Sequence, residues 1–330
     1  MTPDTERRFL PAVPAGFVLG ETESLPSGLR RITLEQFDRS IDRLESGVEL
    51  DRAVHETRKS IKRLRATLRL VSGEIGTKVY RVENELLRDT SRLLAPVRDG
   101  WVMVEAVNRL RSEFTSQLAP TAFAHIEEAL IDRHERRRQR TLDDENLFPV
   151  VVTTLRAARQ RYAAWPVESR TERTGKRTIR DTFEAIEPGL RRTYDRGRAE
   201  MDQAAVDPVE VHFHQWRKRV KYLRHQMEIL EPLWPEVVSA HATTLDQLGE
   251  LLGDEHDLAV LLQLLADIPS LAADGAERAM LAALAQHRRR ELQRAALTMG
   301  MRVYAESPGR FIDRMGTYWD SRRAALNPPF

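Results

Sequence analysis

Apolar positions along this chain recur at intervals of three and four, and no alternation of period two persists beyond a few residues. That spacing predicts helices throughout. In the first half they fall near residues 28–46, 51–71, 77–112 and 120–142, with a further segment at 147–164. In the second half they fall near 176–204, 208–230, 234–266 and 274–303, followed by a short terminal helix. Asp207-Pro208-Val209-Glu210 reads as a helix start, with Asp as N-cap, Pro in the first turn and Glu three residues on.

The pattern also repeats. His55-Glu-Thr-Arg58-Lys59-Ser-Ile61-Lys62-Arg63-Leu64-Arg65 aligns with His214-Gln-Trp-Arg217-Lys218-Arg-Val220-Lys221-Tyr222-Leu223-Arg224, matching at His, Arg, Lys, Ile/Val, Lys, Leu and Arg. Gly28-Leu29-Arg30-Arg31 pairs with Gly189-Leu190-Arg191-Arg192, and Leu93-Leu94-Ala-Pro-Val-Arg98-Asp99 with Leu251-Leu252-Gly-Asp-Glu-His256-Asp257, in the same order. The expected organisation is therefore all-α: an N-terminal extension (1–25), a first bundle of about four helices (26–165), a polar linker (166–175) and a second bundle (176–330).

Charge changes this picture only locally. The 330 residues hold 52 Lys+Arg against 50 Asp+Glu, a net +2, so an anion site must come from segregation of charge along particular helices. There is no cysteine, which excludes disulfides, thiolate metal sites and cysteine nucleophiles. No apolar run is long enough to cross a bilayer, and residues 1–24 hold no uninterrupted signal core. The expectation is a soluble protein of a reducing compartment, by default the cytoplasm.

At about 100° per residue, His55, Arg58, Lys59, Lys62, Arg65 and Arg69 occupy an arc of roughly 120°, beside an apolar arc of Val54, Ile61, Leu64, Leu68 and Val71. His214, Arg217, Lys218, Lys221 and Arg224 repeat the construction, with only Glu228 interrupting it. Solvated helices usually intersperse acids at i,i+4. The first stripe has none, and two such stripes side by side would repel unless a polyanion lay between them. Arginine grips two phosphate oxygens at once, lysine supplies a mobile charge and histidine a titrating donor.

These motifs resemble the CHAD family, the conserved-histidine α-helical domain. The carrying features are the two H-x-x-R-K-x-[IV]-K-x-L-R helices, where the second has Tyr222 in place of a basic residue and His225 in place of an aromatic. They also include the Leu-rich helix with Arg98-Asp99 or His256-Asp257, and Gly189-Leu190-Arg191-Arg192-Thr193-Tyr194-Asp195-Arg196-Gly197-Arg198. The resemblance spans about residues 26–325 and implies two four-helix bundles related by a pseudo-two-fold axis, with a central basic groove or pore that binds inorganic polyphosphate. It also implies association with polyphosphate granules; the residues themselves, with no third converging metal ligand and no Gly-rich phosphate loop, lead to the expectation of no enzymatic activity and no cofactor. The expected ligand contacts are the stripe residues together with Arg63 and Tyr222. Arg30, Arg31, Arg191, Arg192, Tyr194 and Arg198 are secondary candidates, and Asp99 and Asp257 would orient the arginines. The tunnel signature E-x-E-x-K, often fused to this family, finds only Glu21 and Glu23 here with no lysine, so a stand-alone member is expected.

Two rival classes remain open from the residues alone. Asp254, Glu255, His256 and Asp257 are the best metal-like cluster for a phosphohydrolase, although the first repeat has Pro96, Val97 and Arg98 in three of those columns. A nucleic acid would also be drawn to the stripes, but base recognition wants exposed aromatics among the cations, and only Tyr222 and Trp216 are near.

Overall fold

The computed structural model describes residues 16–144, 146–165 and 179–326, except the side chains of residues 98 and 99. The expected linker lies outside the described residues. Those described form twelve α-helices and no strand: α1 (Leu25–Ser46), α2 (Leu50–Leu70), α3 (Ser72–Ile75), α4 (Thr77–Leu93), α5 (Ala95–Glu113), α6 (Ala124–Leu142), α7 (Leu147–Ala163), α8 (Glu187–Val206), α9 (Glu210–Leu230), α10 (Pro235–Asp267), α11 (Gly275–Val303) and α12 (Pro308–Leu326).

Most expected boundaries shift by a few residues, and four expectations are corrected. The helix expected at 77–112 is broken at Leu94 into α4 and α5, because Pro96 lacks the N–H that would continue the ladder. Its counterpart column holds Asp254, and α10 runs unbroken for 33 residues. The helix expected from residue 176 starts only at Glu187-Pro188, after a 3-10 turn at Phe183–Ala185. Asp207 is not the N-cap of α9; Val209 holds that position in extended conformation without a side-chain cap. Asp207 instead lies 3.3 Å from His212 Nε2. The terminal helix is not short, since α12 has 19 residues.

The four helices α1, α2, α4 and α7 pack on one another, α8 packs on α9 and α12, and α9 lies along α10. The apolar core does not divide where the repeat does. Its larger part joins Ile32, Phe37, Ile61, Leu64 and Leu155 of the first half to Tyr194, Trp216, Val220 and Phe311 of the second. A second core forms where α5 and α6 meet the C-terminal part of α10 and α11. The basic helices α2 and α9 each bury an apolar face (Val54, Ile61, Leu64, Leu68; Phe213, Val220, Leu223, Met227), and each such side chain contributes about 1.5–3 kcal/mol. That burial presses α2 and α9 against each other and leaves their polar arcs adjoining.

Gly189 explains one of the repeated motifs. A Cβ there would sit 2.1 Å from the Leu70 carbonyl oxygen and 2.4 Å from that of Arg69, so α8 reaches the end of α2 only without a side chain. Gly189→Ala should therefore lower stability by about 1–3 kcal/mol, read as a drop in denaturation midpoint at unchanged helix content. A variant as stable as wild type would show that the helices can part at no cost.

Candidate functional site

The α2 stripe runs from a wet end to a buried one. His55 is 43% exposed, with Nε2 3.9 Å from Glu56. Arg58 Nη1 donates to the Ala95 carbonyl at the α4–α5 break (3.2 Å), Lys59 is half-buried and Lys62 is exposed. Arg65 Nε donates to Asn84 Oδ1 (3.1 Å), and the Arg69 guanidinium lies 3.8 Å from the centroid of the Tyr222 ring and 5.8 Å from that of Tyr80. Tyr222 is thus a platform for cations from the other repeat, with Arg65 also over it at 6.0 Å. Burial holds the Arg69 guanidinium below its usual range.

On α9, burial is deeper. Lys221 forms no ion pair or hydrogen bond among the described residues. Burial pushes its ammonium down to about 6, helped by the charges of Arg217, Lys62 and Arg224 and opposed by Asp257. The charge of Lys62 reaches Lys221 because α2 packs on α9, which brings one stripe from each repeat side by side. Lys218, which donates to Gln215 Oε1 (3.3 Å), is lowered by burial and by Arg219 and Arg65, against Tyr222. Burial and the charges of Lys218, Arg217 and Lys221 take His214 down to about 4, so it is neutral near pH 7.

The His214 ring lies against that of His256 of α10, tilted by 37° with centroids 4.4 Å apart. Burial, Arg217 and His214 take His256 down to about 3. His214 Nδ1, His256 Nδ1 and Arg217 Nε are all buried without a hydrogen-bond partner among the described groups. Such atoms are costly unless something satisfies them, and here they cluster beside three cationic side chains. Sequence reasoning assigned His256 no contact. Its signals along the chain are its column beside Asp257 in the repeated motif and its place in the metal-like cluster, and neither points to the α9 stripe.

Several expected contacts belong to the scaffold instead. Arg63 lies outside the stripe, over the Phe17 ring (4.8 Å) and 3.8 Å from Glu228, with burial the largest influence lowering it. Arg224 is paired with Glu228 (3.1 Å) and Asp246, and Glu228 also binds His225 Nδ1 (2.8 Å), so that end of the α9 stripe is neutralised. The donors of Arg31 are engaged by Glu23, Glu35 and the Val18 carbonyl. Tyr194 is buried, donating to the Glu306 carbonyl (3.0 Å) and stacked on Phe311. Arg198 donates to the same carbonyl and Arg191 pairs with Glu187. Arg30 is half-buried and Arg192 exposed, and neither is brought to the α2–α9 contact by any hydrogen bond or ion pair.

The Asp99 side chain lies outside the described residues. Asp257 is 3.6 Å from Arg109 of α5 and is raised by burial against the opposing charges of Arg217 and Arg109. The other two acids of the metal-like cluster are also held by arginines, Asp254 by Arg109 (3.5 Å) and Glu255 by Arg289 (2.6 Å), while His256 Nδ1 lies 3.9 Å from Glu210. Among the described residues no three His, Asp or Glu side chains are grouped to hold a metal ion, and no helix is long and apolar enough to cross a membrane.

Comparison with known proteins places this geometry. The CHAD domain family matches residues 31–266, most of the chain and both basic helices. The chain belongs to the CHAD family. Among solved structures this CHAD chain is similar to PptA from Streptomyces chartreusis, at 17% identity and a TM-score of 0.57, over 86% of this chain and 100% of the other. That likeness is one of fold. No curated protein sequence matches it.

Proposed function

We propose that this CHAD protein binds long inorganic polyphosphate along the adjoining basic arcs of α2 and α9, which would form the walls of a cleft, as a binding protein and not as an enzyme. The observation that carries the reading is that the two stripes adjoin, with Arg69 of α2 lying 3.8 Å from the Tyr222 ring of α9, beside the buried Arg217 Nε and His214 Nδ1 that lack a hydrogen-bond partner among the described residues. Like charges on facing helices repel, and a linear phosphate chain would both screen them and satisfy those atoms. The proposed contacts are His55, Arg58, Lys59, Lys62, Arg65, Arg69, His214, Arg217, Lys218, Lys221 and His256. Tyr222 holds Arg65 and Arg69 in place. The acids that a hydrolase would need nearby are each engaged by an arginine, which favours holding a phosphate chain over cutting it. In a cell, such binding would put the protein at polyphosphate granules.

Titration calorimetry with polyphosphates of defined length, against orthophosphate, ATP and duplex DNA, tests the reading. Affinity should rise with chain length until both stripes are spanned, and DNA should be displaced by polyphosphate at equal charge. It should also fall by at least about tenfold between 50 and 200 mM salt, since each neutralised phosphate releases counterions. Equal affinity for orthophosphate and long chains, or a flat salt response, would contradict it.

A further inference from the structure

The outer face of α6 carries a second cationic stripe. Arg133, Arg136, Arg137 and Arg140 lie within an arc of roughly 100° on the wheel and are all exposed. None of their guanidinium groups makes an ion pair or hydrogen bond among the described residues. Their neighbour Arg138 behaves differently, gripping Asp51 at the start of α2 through two donors (2.8 and 3.0 Å). So do Arg288 and Arg289 of α11, which pair with Glu113 and Glu255. Among the described residues α6 is the one helix that aligns on one face four arginines whose guanidinium groups make no ion pair or hydrogen bond.

The arrangement is unfavourable by itself, because the i,i+3 and i,i+4 neighbours in the stripe are all like-charged. It is also separate from the cleft. Arg138, the residue that reaches α2, lies about 150° around the helix from the centre of the stripe, so the four arginines face away from the α2 basic arc. No aromatic side chain stands among them to stack a base. Four mobile forks along roughly 10 Å of helix suit repeated phosphate groups recognised by charge alone.

We propose that this face of α6 is a second, weaker contact surface for linear phosphate polyanions, so that one protein molecule grips one polyphosphate segment in the cleft and another on α6, cross-linking long chains. The inference rests on the polyphosphate reading of the cleft.

The test compares wild type, an Arg133→Gln/Arg136→Gln/Arg137→Gln/Arg140→Gln variant and the cleft variant Lys62→Glu/Lys221→Glu. Glutamine is a good helix former, so α6 should persist, as circular dichroism would show. Calorimetry with short-chain polyphosphate reads the cleft, and light scattering with long-chain polyphosphate reads cross-linking. The α6 variant should keep short-chain affinity within about twofold and lose at least about fivefold of the scattering, because avidity vanishes when one of two sites is removed. A fourfold Arg→Lys variant, which keeps the charge, should retain most of it. Undiminished scattering by the glutamine variant would overturn the inference while leaving the cleft reading intact. Failure of wild type to bind short-chain polyphosphate would overturn the cleft reading and this inference with it. Loss of duplex DNA binding with unchanged polyphosphate scattering would assign the face to nucleic acid and likewise overturn it.

Discussion

Replacing Lys221 with methionine should stabilise the ligand-free protein and at the same time weaken its hold on polyphosphate. Lys221 is half-buried without an ion-pair partner among the described residues, between Arg217, Lys62 and Arg224, and its ammonium is pushed down to about 6. An unfolded lysine is charged at pH 7, so folding must neutralise this one or bury its charge, a cost of order kcal/mol. Residual solvent contact screens part of that cost, and a gain of about 1–2 kcal/mol is expected on substitution, a rise of a few degrees in melting temperature. Methionine fills much the same space without the charge. The complex loses a charge-assisted contact, worth about 1.5–3 kcal/mol, or roughly ten- to a hundredfold in affinity.

Lys62→Ala should leave melting nearly unchanged, Lys62 being exposed, and weaken binding less. The double reversal Lys62→Glu/Lys221→Glu should abolish binding in a chain that stays helical. Lower melting of Lys221→Met with unaltered affinity would show that the lysine is scaffold.

Acidification from pH 8 towards pH 5 should tighten polyphosphate binding while lowering the melting temperature of the free protein. In the free protein Lys221 titrates at about 6 and His214 at about 4. A bound anion favours the charged form of each, so the complex holds more protons than the free protein from those values upward. Affinity therefore rises as pH falls through the bound-state values and levels off below the free-state ones, by up to about tenfold per pH unit for each group titrating in the window. Calorimetry in buffers of different ionisation enthalpy should register net proton uptake at pH 7. The combination of His214→Gln with Lys221→Met should flatten the profile.

Stability runs the other way. Burial takes His214 and His241 to about 4 and His256 to about 3, whereas an unfolded histidine titrates near 6.5. The unfolded chain thus takes up protons first, and stability present above about pH 6.5 is lost as pH falls through the folded-state values. A free-protein melting temperature that is flat or rises between pH 7 and pH 5 would contradict the neutral, buried state of these histidines.

Which cations are available to a ligand could only partly be read in advance. The stripe on α2 was legible because a helix turns its residues by a fixed angle, so spacing alone puts His55, Lys62 and Arg69 on one arc. Arg63, Arg31 and Tyr194 look equally suitable along the chain, yet their partners are Glu228, Glu23 and the Glu306 carbonyl. Two of those three stand more than a hundred residues away, and no local pattern announces them. His256 was missed for the converse reason, since it joins His214 only because α9 lies along α10.

The sequence by itself determined the all-α class, the two basic helices and their apolar faces, because helical periodicity is a local property that side-chain spacing records. The α4–α5 break was not expected from periodicity, which runs on across residues 77–112, although the proline that causes it stands at position 96. Only the tertiary structure decided that the core runs across the repeat, that Gly189 admits α8 to the end of α2, and that Lys221 is half-buried while Lys62 is wet. Burial and Coulomb interactions depend on distances between residues far apart in the chain, and those distances exist only once the helices have packed.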